Sequence, residues 1–245
     1  MSFLSSKKSF IKSGLLYNMT DIHSHILPNV DDGVSEYEDA VSSLRWLKNN
    51  GVNRIYMTPH VMSDFPKNTS EYLSEKFNCF VKCLDNDGIW DIPELSLGAE
   101  YMLETAFERH KEGGVLTYAD SHILVETSYM MPPVGFISLL EKLMEDGYSP
   151  VLAHPERYQY MEAKDYEYLK NQGIKFQLNL LSMTGSYGGQ AKNKALQLLK
   201  AGYYDYAGSD FHHLAHHAES FTAKVLTKKQ ISALQVLFDN NKRLW

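Results

Sequence analysis

With 245 residues, 44% hydrophobic and 22% charged, the chain is long enough for one large α/β core and needs no second domain. A formal charge of −6 and a pI near 5.9 provide no basic face for a polyanion, so nucleic acid is not an expected partner. The only cysteines, Cys79 and Cys83, stand at i and i+4, which suits packing residues on a helix in a reducing cytoplasm rather than a disulfide framework.

Residues 1–18 hold Lys7, Lys8 and Lys12 among Phe3, Leu4, Phe10 and Ile11, without the unbroken apolar run of a signal peptide. They are expected to form a flexible leader before a single domain over residues 19–245. No stretch reaches the roughly 18 apolar residues of a membrane span, so the expected location is cytoplasmic. From Met19 onward short apolar runs alternate with amphipathic ones, the pattern of βα units and a mainly parallel sheet. The first strand, Thr20–His25, precedes a helix opening at Ser35, with Glu38 in capping-box spacing. A second strand, Asn53–Thr58, ends at Pro59-His60 and is followed by a helix over about 70–85. The third, Glu94–Ala99, ends at Glu100; an irregular piece over 108–114, a short helix or a hairpin, follows. The fourth, Ser121–Val125, ends at Glu126 and leads past Pro132-Pro133 into a helix over 134–146. Strand five, Pro150–Ala153, ends at His154, strand six, Ile174–Leu178, at Asn179, and strand seven, Tyr206–Ser209, at Asp210-Phe211-His212. A last helix is expected over about 228–240.

Seven such units predict a barrel of parallel strands ringed by helices, with the active site at the C-terminal strand ends. Those ends carry metal-ligand side chains almost throughout. On the first strand Asp21, His23 and His25 share one face, because strand side chains alternate. Asp32 follows in the first loop, then His60, Glu100, Glu126, His154, Asp210 and His212; strand six alone ends on a neutral amide. A single HxH is commonly a satisfied polar strand end. Convergence of imidazole and carboxylate from nearly every strand instead specifies a multinuclear divalent-metal site.

In order, DxHxH, DDG, TPH, GAE, VE, AHPER and SDxH resemble the polymerase and histidinol phosphatase (PHP) superfamily of metal-dependent hydrolases over residues 19–212. Carboxylates at Asp32 and Glu126, where histidinol phosphatase-like members tend to place histidines, look like the branch of bacterial protein-tyrosine phosphatases that regulates capsule and exopolysaccharide synthesis. The resemblance implies a distorted (β/α)7 TIM-like barrel of the PHP type. It also implies three divalent metal ions, manganese first, with iron, zinc or magnesium also accepted by such ligands. His23, His25, Glu100 and Asp210 would hold one ion, Glu100, Glu126 and His154 a second, and Asp32, His60 and His212 a third. The implied partner is a phosphotyrosine protein, in particular the tail of a membrane tyrosine kinase, and a homo-oligomer is compatible with the pattern.

The chemistry also follows from the residues. Paired divalent cations ionise water near neutral pH and set it for in-line attack on phosphorus without a covalent intermediate. Arg157 adds a fork of donors to the phosphoryl oxygens and, with Asp32 and His60, makes up the candidate catalytic set. A phenolate, whose conjugate acid has a pKa near about 10, leaves with little help from a general acid. Neither cysteine is followed five residues later by arginine, which excludes the thiolate mechanism, and no P-loop or GxSxG elbow occurs. The chain departs from the branch in one respect. A second arginine usual after the last DxH is absent, and His213, His216 and His217 stand there, as a source of positive charge or as a solvated loop. Tyr129, Met130 and Met131 offer either a wall for a phenyl ring or loop packing. The alternatives kept are a small-molecule phosphatase such as histidinol phosphatase, and a noncatalytic metal-bound regulatory module.

Overall fold

The computed structural model describes residues 7–111, 113–119 and 121–245. Helix α1 (Phe10–Ser13) precedes β1 (Met19–Asp21), α2 (Tyr37–Asn49), β2 (Val52–Met57), β3 (His60–Val61) and α3 (Ser70–Asn86). Next come β4 (Glu94–Leu97), β5 (Glu100–Met102), α4 (Phe107–His110), β6 (His122–Glu126), α5 (Phe136–Glu145), β7 (Ser149–Ala153) and α6 (Ala163–Asn171). The chain finishes with β8 (Lys175–Asn179), α7 (Leu180–Thr184), α8 (Gly188–Ala201), β9 (Tyr206–Gly208), α9 (Leu214–Thr222) and α10 (Lys228–Asn241). This is a mixed α/β fold in which every strand pairing is parallel, in a three-stranded sheet β1-β2-β4 and a six-stranded sheet β3-β5-β6-β7-β8-β9.

The strands predicted over residues 53–58 and 94–99 each stop short in one sheet, and the residues at their predicted ends, His60 and Glu100, open short strands of the other. The β2–β4 ladder runs to Met57 opposite Leu97, and pairing resumes with His60 opposite Glu100. Between them Pro59 has no N–H to donate, and the Thr58 amide turns to the Ser24 carbonyl at 2.7 Å. The chain thereby passes from one sheet to the other immediately before it delivers a ligand. At the far edge, the Asp210 amide donates to the His23 carbonyl (2.9 Å) and the His25 amide to the Phe211 carbonyl (2.8 Å). Segment 23–25 therefore lies beside the chain that follows β9. One apolar cluster packs the helices onto the sheets; a smaller one gathers Ile22, Tyr56, Tyr118, Leu124 and Val151 around the C-terminal Leu244.

Several expectations are corrected. Residues 8–18 are not a free leader: Ser9 caps α1, Phe10 is fully buried with its ring 5.1 Å from that of Phe221, and Lys8 pairs with Leu226. Residues 1–6 of the expected leader lie outside the described residues. The capping box at Ser35 does not form, because α2 begins at Tyr37 with Glu36 at its cap and no side-chain capping bond. Cys79 and Cys83 both sit on the exposed side of α3 and do not pack, since Phe80 and Leu84 supply its buried stripe there. Helices α6, α8 and α9 were not predicted. The buried side of α6 consists of only Tyr166 and Leu169, too little periodicity to stand out, and its capping box uses Glu162 and Asp165 rather than a serine or threonine.

Candidate metal centre

Two glycines let the ligand-bearing segments approach each other. A Cβ on Gly33 would lie 2.1 Å from the His25 carbonyl oxygen, so the loop carrying Asp32 can close on the first strand only with glycine there. A Cβ on Gly208 would meet the His23 Cβ at 2.6 Å and Gln177 Nε2 at 2.9 Å, so β9 must lack a side chain where the first histidine projects. Two of the predicted ligands hold the left-handed backbone that β-carbon residues avoid: His154 at φ 34° and Asp210 at φ 53°. Such conformations persist where surrounding structure over-determines them, and they gather at functional sites.

All nine predicted ligands converge, as four overlapping groups that could each hold a metal ion. Glu100, fully buried, lies at the centre. Its Oε2 is 3.1 Å from His23 Nε2, 3.3 Å from His25 Nε2 and 3.2 Å from His60 Nδ1, while Oε1 is 3.0 Å from His154 Nε2. Asp210 Oδ1 stands 3.4 Å from each of His23, His25 and His212. Glu126 Oε1 reaches His60 Nδ1 at 2.9 Å, and exposed Asp32 lies 3.5 Å from both His60 and His212. His60 therefore presents one ring nitrogen to Glu100 and Glu126 and the other to Asp32.

The donor atoms fit a cation. Glu100 Oε2, Glu126 Oε1 and His60 Nδ1 are buried without a hydrogen-bond partner, although opposite-charge atoms lie within about 3 Å, because the atoms aim at shared points rather than along donor–acceptor lines. Burial opposes charging Glu100, yet His23 and its other imidazole neighbours hold its pKa well below the ordinary carboxylate range. Burial likewise opposes protonating His60, as does the neighbouring His25, but Glu126 and Glu100 push its pKa up to about 9. Positive charge is favoured at the centre of the cluster.

The outer partners were less visible in the sequence. Asp31 Oδ2 accepts from His25 Nδ1 at 2.7 Å and from the His60 amide at 3.0 Å, fixing the tautomer and direction of His25. Gln177 Oε1 holds His23 Nδ1 at 3.0 Å, and Asn179 Nδ2 donates to Asp210 Oδ2 at 2.6 Å. Gln177 and Asn179 alternate on β8, so the one strand ending in neutral amides orients ligands of its neighbours. Polar residues at alternate positions, Lys175, Gln177 and Asn179, with Phe176 and Leu178 between them were the available signal. Asp21 shares no metal group; it accepts from the amide and hydroxyl of Ser209 and ties β1 to the end of β9.

Arg157 enters this cluster from the turn after His154. Its Nη1 donates to Asp210 Oδ2 at 3.0 Å, and its guanidinium is sandwiched between Tyr129 (4.2 Å) and Tyr187 (4.0 Å), which sequence reasoning did not single out. These residues border a cavity of about 360 Å³ with Asp32, His60, Glu100 and His212. Tyr129 is thus a wall of the site, whereas Met130 and Met131 project to solvent.

The histidines after His212 divide. His213 and His216 are exposed on the cavity rim, but His217 is buried on α9 and stacked on Phe211 at 4.2 Å. Burial outweighs its contacts with the Ser209 and His213 carbonyls and lowers its pKa to about 4, so His217 is neutral at physiological pH and does not supply the missing positive charge. Its folded-state pKa is depressed, so its stabilising contribution is complete above the ordinary histidine value of 6.5 and is lost as pH falls toward 4. About 2 kcal/mol of that contribution should be gone by pH 5. Urea unfolding of wild type and His217→Phe at pH 7 and pH 5 should show a smaller acid loss in the variant. Equal losses would remove His217 as the cause.

A parallel α/β scaffold presenting a buried histidine–carboxylate cluster beside a clamped arginine defines a metal-dependent hydrolase-type centre. The chain belongs to the CpsB/CapC family of capsular polysaccharide synthesis, whose pattern matches residues 19–244. It is 30% identical to the tyrosine-protein phosphatase YwqE of Bacillus subtilis over 201 residues, covering 80% of this chain and 78% of that protein. The putative tyrosine-protein phosphatase CapC of Staphylococcus aureus is 28% identical, with 79% of this chain and 77% of that protein covered. A solved chain from work on YwqE of B. subtilis and CpsB of Streptococcus pneumoniae, described as unique metal-dependent tyrosine phosphatases, superposes with a TM-score of 0.81. It is 27% identical and covers 92% of this chain and 94% of that chain.

Proposed function

We propose that this protein is a metal-dependent protein-tyrosine phosphatase that hydrolyses phosphotyrosine on a bacterial tyrosine kinase controlling capsule or exopolysaccharide synthesis. The observation that carries this reading is the convergence of nine ligand-type side chains, with unpartnered Glu100 and Glu126 oxygens, on a cavity bordered by Arg157. Family membership and likeness to phosphatases support it. The scaffold is read as a distorted (β/α)7 barrel, supported by the two segments that pass between sheets and by the parallel bridge of Ser24 to Phe211.

Three divalent ions, manganese foremost, are assigned to His23, His25, Glu100 and Asp210; to Glu100, Glu126 and His154; and to Asp32, His60 and His212. When bound, such cations ionise water and polarise phosphoryl oxygens. The side chains supply the rest. Arg157 retains N–H donors beyond the one given to Asp210, and the two tyrosine rings fix the plane in which they can meet a phosphoryl group. Asp31 and Gln177 hold His25 and His23 in the orientation that leaves Nε2 facing the centre.

The test compares a phosphotyrosyl peptide with histidinol phosphate, with added manganese and after chelation, alongside metal analysis. Turnover of the peptide that disappears with the chelator and returns with manganese is expected. Preference for histidinol phosphate would replace the substrate assignment. Fewer than two ions per chain at saturation would sink the mechanism, and failure on both substrates with metal bound would point to a noncatalytic module.

A further inference from the structure

Four of the nine large apolar side chains exposed among the described residues fall in one short stretch beside the site, Tyr129, Met130, Met131 and Val134, and a fifth, Tyr168, borders an adjoining hollow with Pro132 and Pro133. Met130 is 66% exposed, Met131 67% and Val134 98%, whereas the other four are scattered. Scattered apolar residues are ordinary, but a contiguous group beside a cavity marks an interaction surface.

The strand ends explain why this surface belongs with the site. β3 delivers His60 to the metal cluster and the chain continues to Met62; β5 delivers Glu100 and then Met102; β6 delivers Glu126 and then Ser128. Met62, Met102 and Ser128 line a groove of about 490 Å³, closed on its far side by Met131, Pro132 and Val134. The catalytic cavity and the groove therefore arise from the same three segments, one step apart. Tyr129 joins them, with its ring over Arg157 and the chain running on into the groove wall. Across the cavity, the opposite rim carries Asp32, His212, His213 and His216 and is polar.

We infer that this methionine-lined groove docks the polypeptide segment next to the phosphotyrosine of a protein substrate, through apolar side chains of that segment. The inference rests on the phosphatase reading of the site and specifies what the substrate must present besides its phosphoryl group. A cavity of about 360 Å³ accommodates a side chain rather than a polypeptide, so the residues before and after the phosphotyrosine must cross the rim. On one side that rim carries Met62, Met102, Met131 and Val134, with Asp64 and Glu104 among them as the groove's charged groups. Methionine is unbranched and polarisable, so Met62, Met102 and Met131 can repack around differing apolar residues and accept several phosphotyrosines with different neighbours.

The test uses Met131→Glu/Val134→Glu, two exposed positions outside the catalytic machinery, in the metal-loaded full chain. Three substrates are compared: 4-nitrophenyl phosphate, a phosphotyrosyl peptide with leucine and phenylalanine beside the phosphotyrosine, and one with glycine and serine there. The variant should hydrolyse 4-nitrophenyl phosphate and the glycine/serine peptide within about twofold of wild type, and lose about tenfold in kcat/KM on the apolar peptide, chiefly through KM. Unchanged activity on the apolar peptide would overturn the inference. So would equal loss on all three substrates in a variant whose urea midpoint and metal content match wild type, or a change in native mass, which assigns the groove to a second copy of the chain. Wild type inactive on all three would overturn the phosphatase reading itself.

Discussion

Glu100→Gln is expected to lower kcat/KM on a phosphotyrosyl peptide by on the order of a thousandfold and to reduce bound metal by at least one ion per chain. Glutamine preserves the shape of the side chain, so the effect isolates charge and donor number. Glu100 is the one residue whose two oxygens reach four histidines from three segments, His23 and His25, His60, and His154, and it is fully buried. An amide at this position has one acceptor oxygen and one NH2, which cannot ligate a cation, and removes the negative charge that keeps neighbouring imidazoles favourable to positive charge. Initial rates and elemental analysis on the same preparation check it. A variant retaining a tenth of wild-type activity with full metal content would show that Glu100 is not the shared centre.

Arg157→Ala is expected to lower kcat/KM by about a hundredfold or more while leaving metal content near that of wild type. Arg157 touches the cluster only through Asp210 Oδ2, which Asn179 also holds at 2.6 Å, so Asp210 keeps a donor when the arginine is lost. What disappears is the flat donor fork held between Tyr129 and Tyr187. Arg157→Lys should recover little, since an ammonium neither stacks between two rings nor donates in parallel. Full activity in the lysine variant would reduce Arg157 to a general source of charge. Metal loss in the alanine variant would make it a support for Asp210.

The convergence of the candidate ligands was legible because it obeys the simplest rule of parallel α/β folds, that strands end in chemistry. His23, His60, Glu100, Glu126, His154 and Asp210 each follow an apolar run, and the structure gathers them as expected. Features requiring knowledge of neighbours were not legible. Gln177 reads as a polar residue in a strand until β8 is placed beside the first histidine. Tyr187 gains meaning only when Arg157 is seen against it, 30 residues earlier in sequence. The division of two strands between sheets depends on where the Thr58 amide turns, which Pro59 hints at but hydrophobic periodicity does not. His217 looked like its neighbours His213 and His216, and only the packing of α9 onto Phe211 separates them. Cys83 misled in the opposite sense, because i, i+4 spacing establishes that two residues share a helix side but not whether that side faces the core.

The passage of two strands from one sheet to the other has a consequence for the lifetime of the protein. His23 and His25 extend from the three-stranded sheet, whereas Glu100, His154 and Asp210 belong to segments of the six-stranded sheet. A cation held by these side chains would be a rivet through the line where the sheets meet. Ligands that bind only the folded chain stabilise it by about 2.7 kcal/mol at a hundredfold excess over Kd. Metal scarcity would then loosen the joint before the helical exterior and expose the chain to proteolysis, so metal supply would set the abundance of the protein as well as its rate.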